Sequence, residues 1–156
     1  MLRVNIPAFG KYDLHHLVLD VNGTLAVDGE LLAGVPERIS ALKKLLNINL
    51  ITANTYNKQD EIDSILGVQS IRLSAGSEAA QKAEFVRRLG CLSVVAIGNG
   101  ANDREMLKAS ALGIVVMEGE GSAVQAITSA DIVCTSILTA FDLLLKPGRI
   151  KATLRH

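Results

Sequence analysis

Short runs of apolar residues alternate along this chain with stretches in which apolar residues recur at helical spacing. The short runs are typical of buried β-strands, and Gly, Asn or charged residues often flank them. Strands are predicted at 17–19, 47–52, 70–73, 93–98, 112–117 and 131–134. Helices are predicted at 36–46, 58–66, 77–89, 104–110 and 122–129, with a further helix from Ile137. This alternation predicts parallel βαβ units wound into a three-layer α/β/α Rossmann-like sandwich.

Three residues mark predicted helix ends. Pro36 suits the first turn of a helix because its missing N–H is not needed there. Gly67 suits a left-handed cap after the second helix, and Ser77 suits a side-chain cap before the third. These residues therefore support the helix boundaries that the apolar spacing suggests.

Two further stretches predict extended structure outside the core strands. Asp28-Gly29 stands between two apolar arms at 24–32, which favours a small hairpin with a type I′ turn. Residues 2–6 are predicted to form an edge strand that ends at Pro7, followed by a loop through Gly10.

Four polar residues follow the predicted strands in a regular order. Asp20 ends the first core strand, where open α/β sheets place their chemistry. Thr52 ends the second strand, Lys82 lies in the first half of the 77–89 helix, and Asp103 lies at the end of the loop after the fourth strand. Three of them have ordinary structural explanations when taken alone. Thr52 is explained as a turn cap, Lys82 as a solvated charge, and Asp103 as an acid that complements a helix dipole. Their joint occurrence with Asp20 favours a common site.

The run Asp20-Val-Asn-Gly-Thr resembles the first motif of the haloacid dehalogenase (HAD) superfamily, Asp-x-Asp-Gly-Thr, with Asn22 in place of the second Asp. Thr52, Lys82 and the Gly-Asn-Gly-Ala-Asn-Asp run at 98–103 stand in the order of the other HAD motifs. The resemblance covers about residues 17–135. Segments 102–107, 111–114 and 130–133 are also similar to the end of the P domain of P-type ATPases, so the chain resembles small soluble P-type-ATPase-like HAD proteins.

The resemblance implies a phosphohydrolase and assigns roles to its residues. Asp20 is the implied nucleophile, which forms an aspartyl phosphate, and the catalytic set is completed by Asn22, Thr52 and Lys82. Mg²⁺ is the implied cofactor, with Asp20, the backbone carbonyl of Asn22, Asn99 and Asp103 as its predicted ligands. The predicted phosphate contacts are Val21, Asn22, Gly23, Thr52, Ala53, Lys82 and Asn102. Backbone N–H groups at 21–23 are expected to form an anion nest.

Two amides replace carboxylates of the common HAD pattern. Asn22 cannot exchange a proton with a leaving group, and this favours aryl, acyl or anhydride phosphates as substrates. Asn99 brings an oxygen without charge, which predicts weaker metal binding. The alternative interpretation is a catalytically weak HAD-fold module that recognises a phosphorylated partner. Nucleotide binding is a weaker third hypothesis, because Gly119 and Gly121 follow a strand without a complete fingerprint.

The spacing between motifs leaves no room for a cap domain. The 32 residues from Asp20 to Thr52 and the 30 from Thr52 to Lys82 are filled by the predicted hairpin flap, helices and strands. An open site suits a phosphate on a macromolecule, or a small phosphorylated substrate enclosed by a second subunit. A homo-oligomer is therefore an expectation.

Composition narrows the class of protein. Basic and acidic residues balance at 16 each, so no overall field attracts nucleic acid or a membrane surface. Aromatic residues make up 3% of the chain and Trp is absent, which argues against a surface on which the bases of single-stranded nucleic acid stack. No apolar run of eighteen residues occurs, and we expect a cytoplasmic protein with a single domain over 1–156.

A few residues remain outside this scheme. Cys91 and Cys134 lack the spacing of a zinc site or disulfide framework and are expected to be buried thiols. His15 and His16 lack partners at ligand spacing, so no metal role is expected. The basic segment 146–156 is interpreted as a solvated terminal helix or frayed tail, with contact to an acidic partner as the alternative.

Overall fold

The computed structural model describes residues 1–7, 10–53 and 58–155. Its strands are β1 (Leu2–Ile6), β2 (Gly10–Leu14), β3 (His16–Asp20), β4 (Ala26–Val27), β5 (Glu30–Leu31), β6 (Asn47–Thr52), β7 (Ile71–Arg72), β8 (Val94–Gly98), β9 (Leu112–Val116) and β10 (Ile132–Cys134). Its helices are α1 (Val35–Leu42), α2 (Gln59–Leu66), α3 (Glu78–Leu89), α4 (Arg104–Ala109), α5 (Val124–Ile127), α6 (Ile137–Leu145) and α7 (Gly148–Leu154).

Six strands form a parallel sheet in the order β10-β9-β8-β3-β6-β7. Side chains alternate across it: Leu17 and Leu19 of β3 pack into one apolar core, whereas Val18 packs into the other. The first core is covered by α1, α2 and α6, and the second by α3, α4 and α5. The predicted three-layer α/β/α sandwich is confirmed.

The predicted flap is confirmed as an antiparallel hairpin of β4 and β5. Its turn residues Asp28 and Gly29 have φ values of 51° and 78°, and positive values at both positions define the type I′ turn. The flap follows the first motif directly, so it lies beside the carboxyl end of β3.

The edge strand predicted at 2–6 is confirmed, and it lies in a small sheet apart from the main one. It pairs antiparallel with β2, from Leu2 opposite Leu14 to Ile6 opposite Gly10, in a separate two-stranded sheet. β2 has mainly exposed side chains, so it lacks the apolar pattern of a core strand, and it begins where the sequence predicts a loop through Gly10. Positions 8 and 9 of that predicted loop lie outside the described residues.

Several predicted helix details need correction. The first helix ends at Leu42 and not at the predicted residue 46. Backbone hydrogen bonds between residues three apart, such as that from the Leu45 N–H to the Leu42 carbonyl, replace the α-helical pattern and turn the chain toward β6. The helix predicted at 122–129 is reduced to the short α5. Ser77 has φ 53° and makes no side-chain cap, although α3 begins at the next residue. Gly67, with φ 59°, does provide the left-handed cap of α2.

The basic segment forms the helix α7, and Ile150 is fully buried in the core that also contains β1. The sequence predicts a solvated helix or a frayed tail here. The structure shows a helix, and its buried Ile150 side chain packs it against the rest of the fold. His156 lies outside the described residues. Cys134 is buried as predicted and burial raises the pKa of its thiol to about 11, whereas Cys91 is only partly buried. Over 1–7, 10–53 and 58–155, no helix has the length and apolarity needed to cross a membrane.

Candidate active site

The sheet topology brings three of the predicted residues to one place. The chain runs from β3 outward through β6 and β7, then returns to the other side of β3 as β8. The carboxyl ends of β3, β6 and β8 are therefore adjacent at the point where the strand order reverses, which is where ligands bind in open α/β sheets. Asp20 and Thr52 end the first two of these strands, and Asn99 directly follows the third.

Lys82 lies beneath this point, between two carboxylates. Its Nζ donates to Asp20 Oδ1 at 2.6 Å and to Asp103 Oδ1 at 2.7 Å, and its side chain is fully buried. A solvated lysine on a helix surface is therefore excluded. The N-terminal half of α3 supplies this cation, because Ala83 and Val86 of the same helix are buried against the sheet.

Burial and neighbouring charges shift the pKa values of Asp20 and Lys82. Burial, followed by the like charge of Asp103, raises the pKa of Asp20 to about 7, although Lys82 pulls it down. Burial lowers the pKa of Lys82, but the two carboxylates together outweigh it and hold that pKa above its ordinary value. Lys82 is therefore a permanent cation, and Asp20 changes charge near neutral pH.

Asp103 forms the floor of the site. Its Oδ2 accepts hydrogen bonds from the backbone N–H groups of Asn99 at 2.9 Å and Gly100 at 2.8 Å. The approach depends on Gly98, because a Cβ there would lie 2.5 Å from the Asp103 carboxylate. Asp103 thus joins the loop after β8 to Lys82, which goes beyond the ordinary structural explanation of an acid at a helix start. Its role as a metal ligand stays a prediction.

Amide and hydroxyl groups orient the upper part of the site. Asn22 Nδ2 donates to Thr52 Oγ1 at 3.3 Å. Thr24 Oγ1 lies 3.2 Å from Asn99 Oδ1 and 3.4 Å from Asp20 Oδ2. Because Asn99 Nδ2 donates to the Gly121 carbonyl at 3.0 Å, the Asn99 amide oxygen is turned toward Asp20 and Thr24.

A cleft of about 200 Å³ opens above these groups. It is lined by Asp20, Asn22, Ala53, Asn99, Gly100, Asn102 and Glu120. Thr52, Lys82 and Asp103 are fully buried and do not line it. Two larger grooves, of about 360 and 470 Å³, lie elsewhere, and all of their charged lining residues are exposed. The smaller cleft is lined by the buried Asp20 carboxylate, so it is the better candidate for a functional site.

The predicted anion nest at 21–23 is only partly free. The Gly23 N–H already donates to the Ala26 carbonyl at 2.7 Å, which closes the turn into the flap. The Val21 N–H is directed at the Asp20 carboxylate and favours its charged form. The Gly23 N–H is therefore engaged in this turn, and the close approach of Gly23 to Asn99 leaves no room for a Cβ. Its assignment as a phosphate contact stays a prediction.

Sequence reasoning missed three residues of the site. Thr24 belongs to the first motif but was given no role. Glu78 accepts from Asn102 Nδ2 at 2.7 Å, and Glu120 lines the cleft from the loop after β9. That loop was noted only for its glycines, and its approach to β3 depends on tertiary packing. The rest of the sequence-predicted set meets at or beneath one cleft.

The oxygen donors at the cleft suit a small hard cation. The Asp20 carboxylate and the Asn99 amide oxygen both lie within 3.4 Å of Thr24 Oγ1. Mg²⁺ typically binds one or two carboxylates and keeps several waters, so one carboxylate and one amide oxygen are a suitable set of protein ligands. No group of three or more His, Cys, Asp or Glu side chains that could hold a metal occurs within the described parts of the chain. The expectation that His15 and His16 have no metal role stays a prediction.

Known proteins match this chain at several levels. No protein-family model matches it. An uncharacterised protein of Methanocaldococcus jannaschii is 50% identical over 62 residues, which are 40% of this chain and 67% of that protein. The Arabidopsis thaliana protein named "Probable copper-transporting ATPase HMA5" is 32% identical over 133 residues, 80% of this chain. The match spans only 13% of that ATPase's length.

Solved structures settle the fold. The 3-deoxy-D-manno-octulosonate 8-phosphate phosphatase of Moraxella catarrhalis, solved with magnesium, phosphate and the sugar, superposes with a TM-score of 0.71. The similarity covers 90% of each chain at 17% identity. A Legionella pneumophila structure described as a HAD superfamily (subfamily III A) hydrolase gives a TM-score of 0.68 at 16% identity, covering 91% of this chain and 87% of its own. This chain has the HAD fold.

The HAD fold accounts for the position of the cleft. Its first motif ends β3, its second ends β6, and its fourth follows β8, in the places that the sequence resemblance implied. The assignments of individual residues to catalysis, metal and phosphate remain predictions.

Proposed function

We propose that this protein is a Mg²⁺-dependent phosphohydrolase that works through an aspartyl phosphate on Asp20. The observation that carries the proposal is the buried Lys82 ammonium shared by Asp20 and Asp103 directly beneath an open polar cleft. Burying three charges is costly, and a stable core does not require it. Such an arrangement is explained by chemistry at the Asp20 carboxylate.

The chemical step is a displacement at phosphorus. A carboxylate oxygen of Asp20 forms a bond to phosphorus while the bond to the leaving oxygen breaks and that oxygen takes the electron pair. Water then attacks the acyl phosphate, releasing inorganic phosphate and restoring the carboxylate. Asn22 cannot donate a proton to the leaving oxygen, so aryl, acyl or anhydride phosphates are the favoured substrates. The sequence match to an ATPase is in keeping with an anhydride.

The protein's own residues hold the transferred group. The Thr52 hydroxyl and the Lys82 ammonium lie beneath the cleft and can reach equatorial phosphoryl oxygens once Asp20 has moved toward phosphorus. Asn102 and the backbone at Asn22 and Ala53 border the same space. Mg²⁺ would be held by the Asp20 carboxylate and the Asn99 amide oxygen with the Asn22 carbonyl, and would reduce the repulsion between the two anions. Asp103 would act behind them, because three donors already occupy its oxygens.

The test is hydrolysis of a panel of aryl, acyl and alkyl phosphates by the full chain, with and without Mg²⁺. We expect metal-dependent release of phosphate that falls at least about 10³-fold in Asp20→Asn, because the amide is not a nucleophile. Asp60→Asn is the matched control, since its carboxylate pairs with Arg72 and is mostly exposed. Activity that survives Asp20→Asn would rule out this mechanism.

The second candidate is a binding module that recognises a phosphorylated partner without turnover. The amides Asn22 and Asn99 favour it, because both stand at the cleft where the HAD pattern has carboxylates. Titration with Mg²⁺ and beryllofluoride, a phosphoryl mimic, separates the two. Tight binding that depends on Asp20 supports the enzyme, whereas no binding at millimolar metal supports the module.

A further inference from the structure

The loop after β9 places a carboxylate at the mouth of the cleft. Glu120 lines the cleft together with Asp20 and Asn22, although it is about 100 residues away along the chain. Its Oε1 accepts a hydrogen bond at 2.8 Å from the backbone N–H of Asp28, at the tip of the flap. The carboxylate is therefore held over the site by main chain.

Among the described residues, no basic side chain forms an ion pair with Glu120. Lys82 is buried below and divided between Asp20 and Asp103. Lys58 pairs with Glu30, and Arg104 bonds Glu105 and the Ala101 carbonyl. Glu78 stands behind Asn102, and the Asp28 side chain adds another exposed acid near the flap tip. Among the described residues that line the cleft, the charged ones are Asp20 and Glu120.

The base and the mouth of the cleft present different charges to the two parts of a phosphate ester. The phosphoryl group meets Lys82 and the oxygen donors that suit Mg²⁺ at the base of the cleft. The leaving group projects toward the mouth, where the fixed charge is the Glu120 carboxylate. A second anionic group on the leaving side would be repelled there, and a cationic group would be attracted.

We infer that Glu120 selects the leaving group by charge, favouring phosphate esters that carry an ammonium group over esters that carry a carboxylate. This inference rests on the proposed function, since it names the substrate class of the same cleft. Small organic phosphates with a primary or quaternary amine on the leaving group are the class that fits. Glu120 acts as a specificity-determining residue and takes no part in bond breaking.

The experiment uses three phenyl phosphates with para substituents insulated by a methylene: trimethylammoniomethyl, hydroxymethyl and carboxymethyl. Because the cationic substituent also makes its phenol more acidic, the contribution of Glu120 is read as the change in the kcat/KM ratio between wild type and Glu120→Gln. With the full chain and Mg²⁺ at low salt, we expect kcat/KM to be about tenfold higher for the cationic ester than for the anionic one. The ratio should shrink in high salt, because an exposed charge is screened.

Glu120→Gln keeps the hydrogen-bond acceptor for the Asp28 N–H and removes only the charge. It should lower the ratio about fivefold relative to wild type, and Glu120→Lys should lower it further. Glu118→Gln is the matched control, because Glu118 accepts from the Ile137 N–H at 2.6 Å and does not line the cleft. It should keep the ratio. A wild-type ratio near one, or an unchanged ratio in Glu120→Gln, overturns the inference.

Binding separates this inference from the proposed function. The three corresponding benzylphosphonates cannot be hydrolysed, and their Kd values should show the same charge order in wild type and the same loss in Glu120→Gln. A charge order in Kd without any hydrolysis of the esters would contradict the enzyme and leave charge selection standing. Hydrolysis of the esters without a charge order would support the enzyme and contradict charge selection by Glu120.

Discussion

At the scale of single residues, Asp20 is the group with the least ordinary environment. It shares Lys82 with Asp103, and burial together with the charge of Asp103 raises its pKa to about 7. A nucleophilic carboxylate must be ionised, so the active form is present above this pKa and is lost as pH falls through it. The raised pKa places the protonation switch of Asp20 within the physiological range.

We therefore expect log kcat/KM to rise with pH and level off, with an apparent pKa at or below about 7, because bound Mg²⁺ would favour the charged form of Asp20. Asp103→Asn should move this limb to lower pH, because it removes the like charge that raises the pKa of Asp20. The measurement is a pH profile with a substrate whose own phosphate is fully ionised throughout. A limb that stays in place in Asp103→Asn would contradict the assignment to Asp20.

Asn22 is the residue that most limits the proposed chemistry. Its side chain borders the cleft and donates to Thr52, so an acid at this position would face the leaving group. We predict that Asn22→Asp raises kcat on alkyl phosphates by about 10² or more and changes acyl phosphates much less. Asn5→Asp on the exposed side of β1 is the matched control and should change neither. No gain on alkyl phosphates would mean that residue 22 does not reach the leaving oxygen.

The sequence could identify Asp20, Thr52 and Lys82 as candidates because strand ends and helical spacing are local properties. It could not show that Lys82 is fully buried between two carboxylates, since that depends on α3 packing over the sheet. Nor could it show that the Gly121 carbonyl orients the Asn99 amide, because 22 residues separate them.

At the scale of elements, the close contact between the end of β8 and the loop that follows it controls the site. Gly98 has no Cβ, and the Asp103 carboxylate occupies the space that one would fill. We expect Gly98→Ala to displace Asp103, remove one partner of Lys82 and lower kcat at least about tenfold.

Gly113→Ala provides the comparison for this prediction. A Cβ on Gly113 would lie 2.5 Å from the Leu107 carbonyl, so this variant strains the contact between β9 and α4 away from the cleft. It should lower the free energy of unfolding and leave kcat per folded molecule close to wild type. Urea unfolding and active-site titration together distinguish the two effects, and equal losses of kcat would refute the special role of Gly98.

Core strands were predictable to within one or two residues, because buried strands are continuous apolar runs. The partner of β1 was not, because alternation shows only that one face is buried and does not identify what it pairs with. Helix lengths were less predictable where the last turn tightens, as at Leu42, because the helical spacing of apolar residues continues beyond that turn. The flap turn was predictable from Asp28-Gly29 alone, since few other residues accept positive φ at both positions.

At the scale of the whole molecule, one core joins parts that the sequence could not connect. Side chains of β1, α7, α1 and the main sheet belong to the same buried cluster. We propose that the chain unfolds as a single domain. The measurement is coincidence of the fluorescence and far-ultraviolet circular dichroism transitions in urea, and separate midpoints would contradict it.

Ile150 tests whether the basic helix is part of that domain. Its side chain is fully buried, so Ile150→Ala should lower the free energy of unfolding by about 2–4 kcal/mol. Leu92→Ala is the matched control because Leu92 is 86% exposed, and it should cost less than about 0.5 kcal/mol. A small cost at Ile150 would mean that α7 detaches without consequence. Contact of the exposed basic side chains with an acidic partner stays a prediction, as does the homo-oligomer.

The sequence by itself determined the core strands, most helices and the flap, because these follow from local periodicity and turn chemistry. Its resemblance to the HAD motifs indicated the residues able to perform phosphoryl chemistry. Only the tertiary structure decided which groups share charge, which face the cleft and which support it from below. Burial and proximity are properties of packed elements, and they raise the pKa of Asp20, place Lys82 beneath it and bring Glu120 to the mouth.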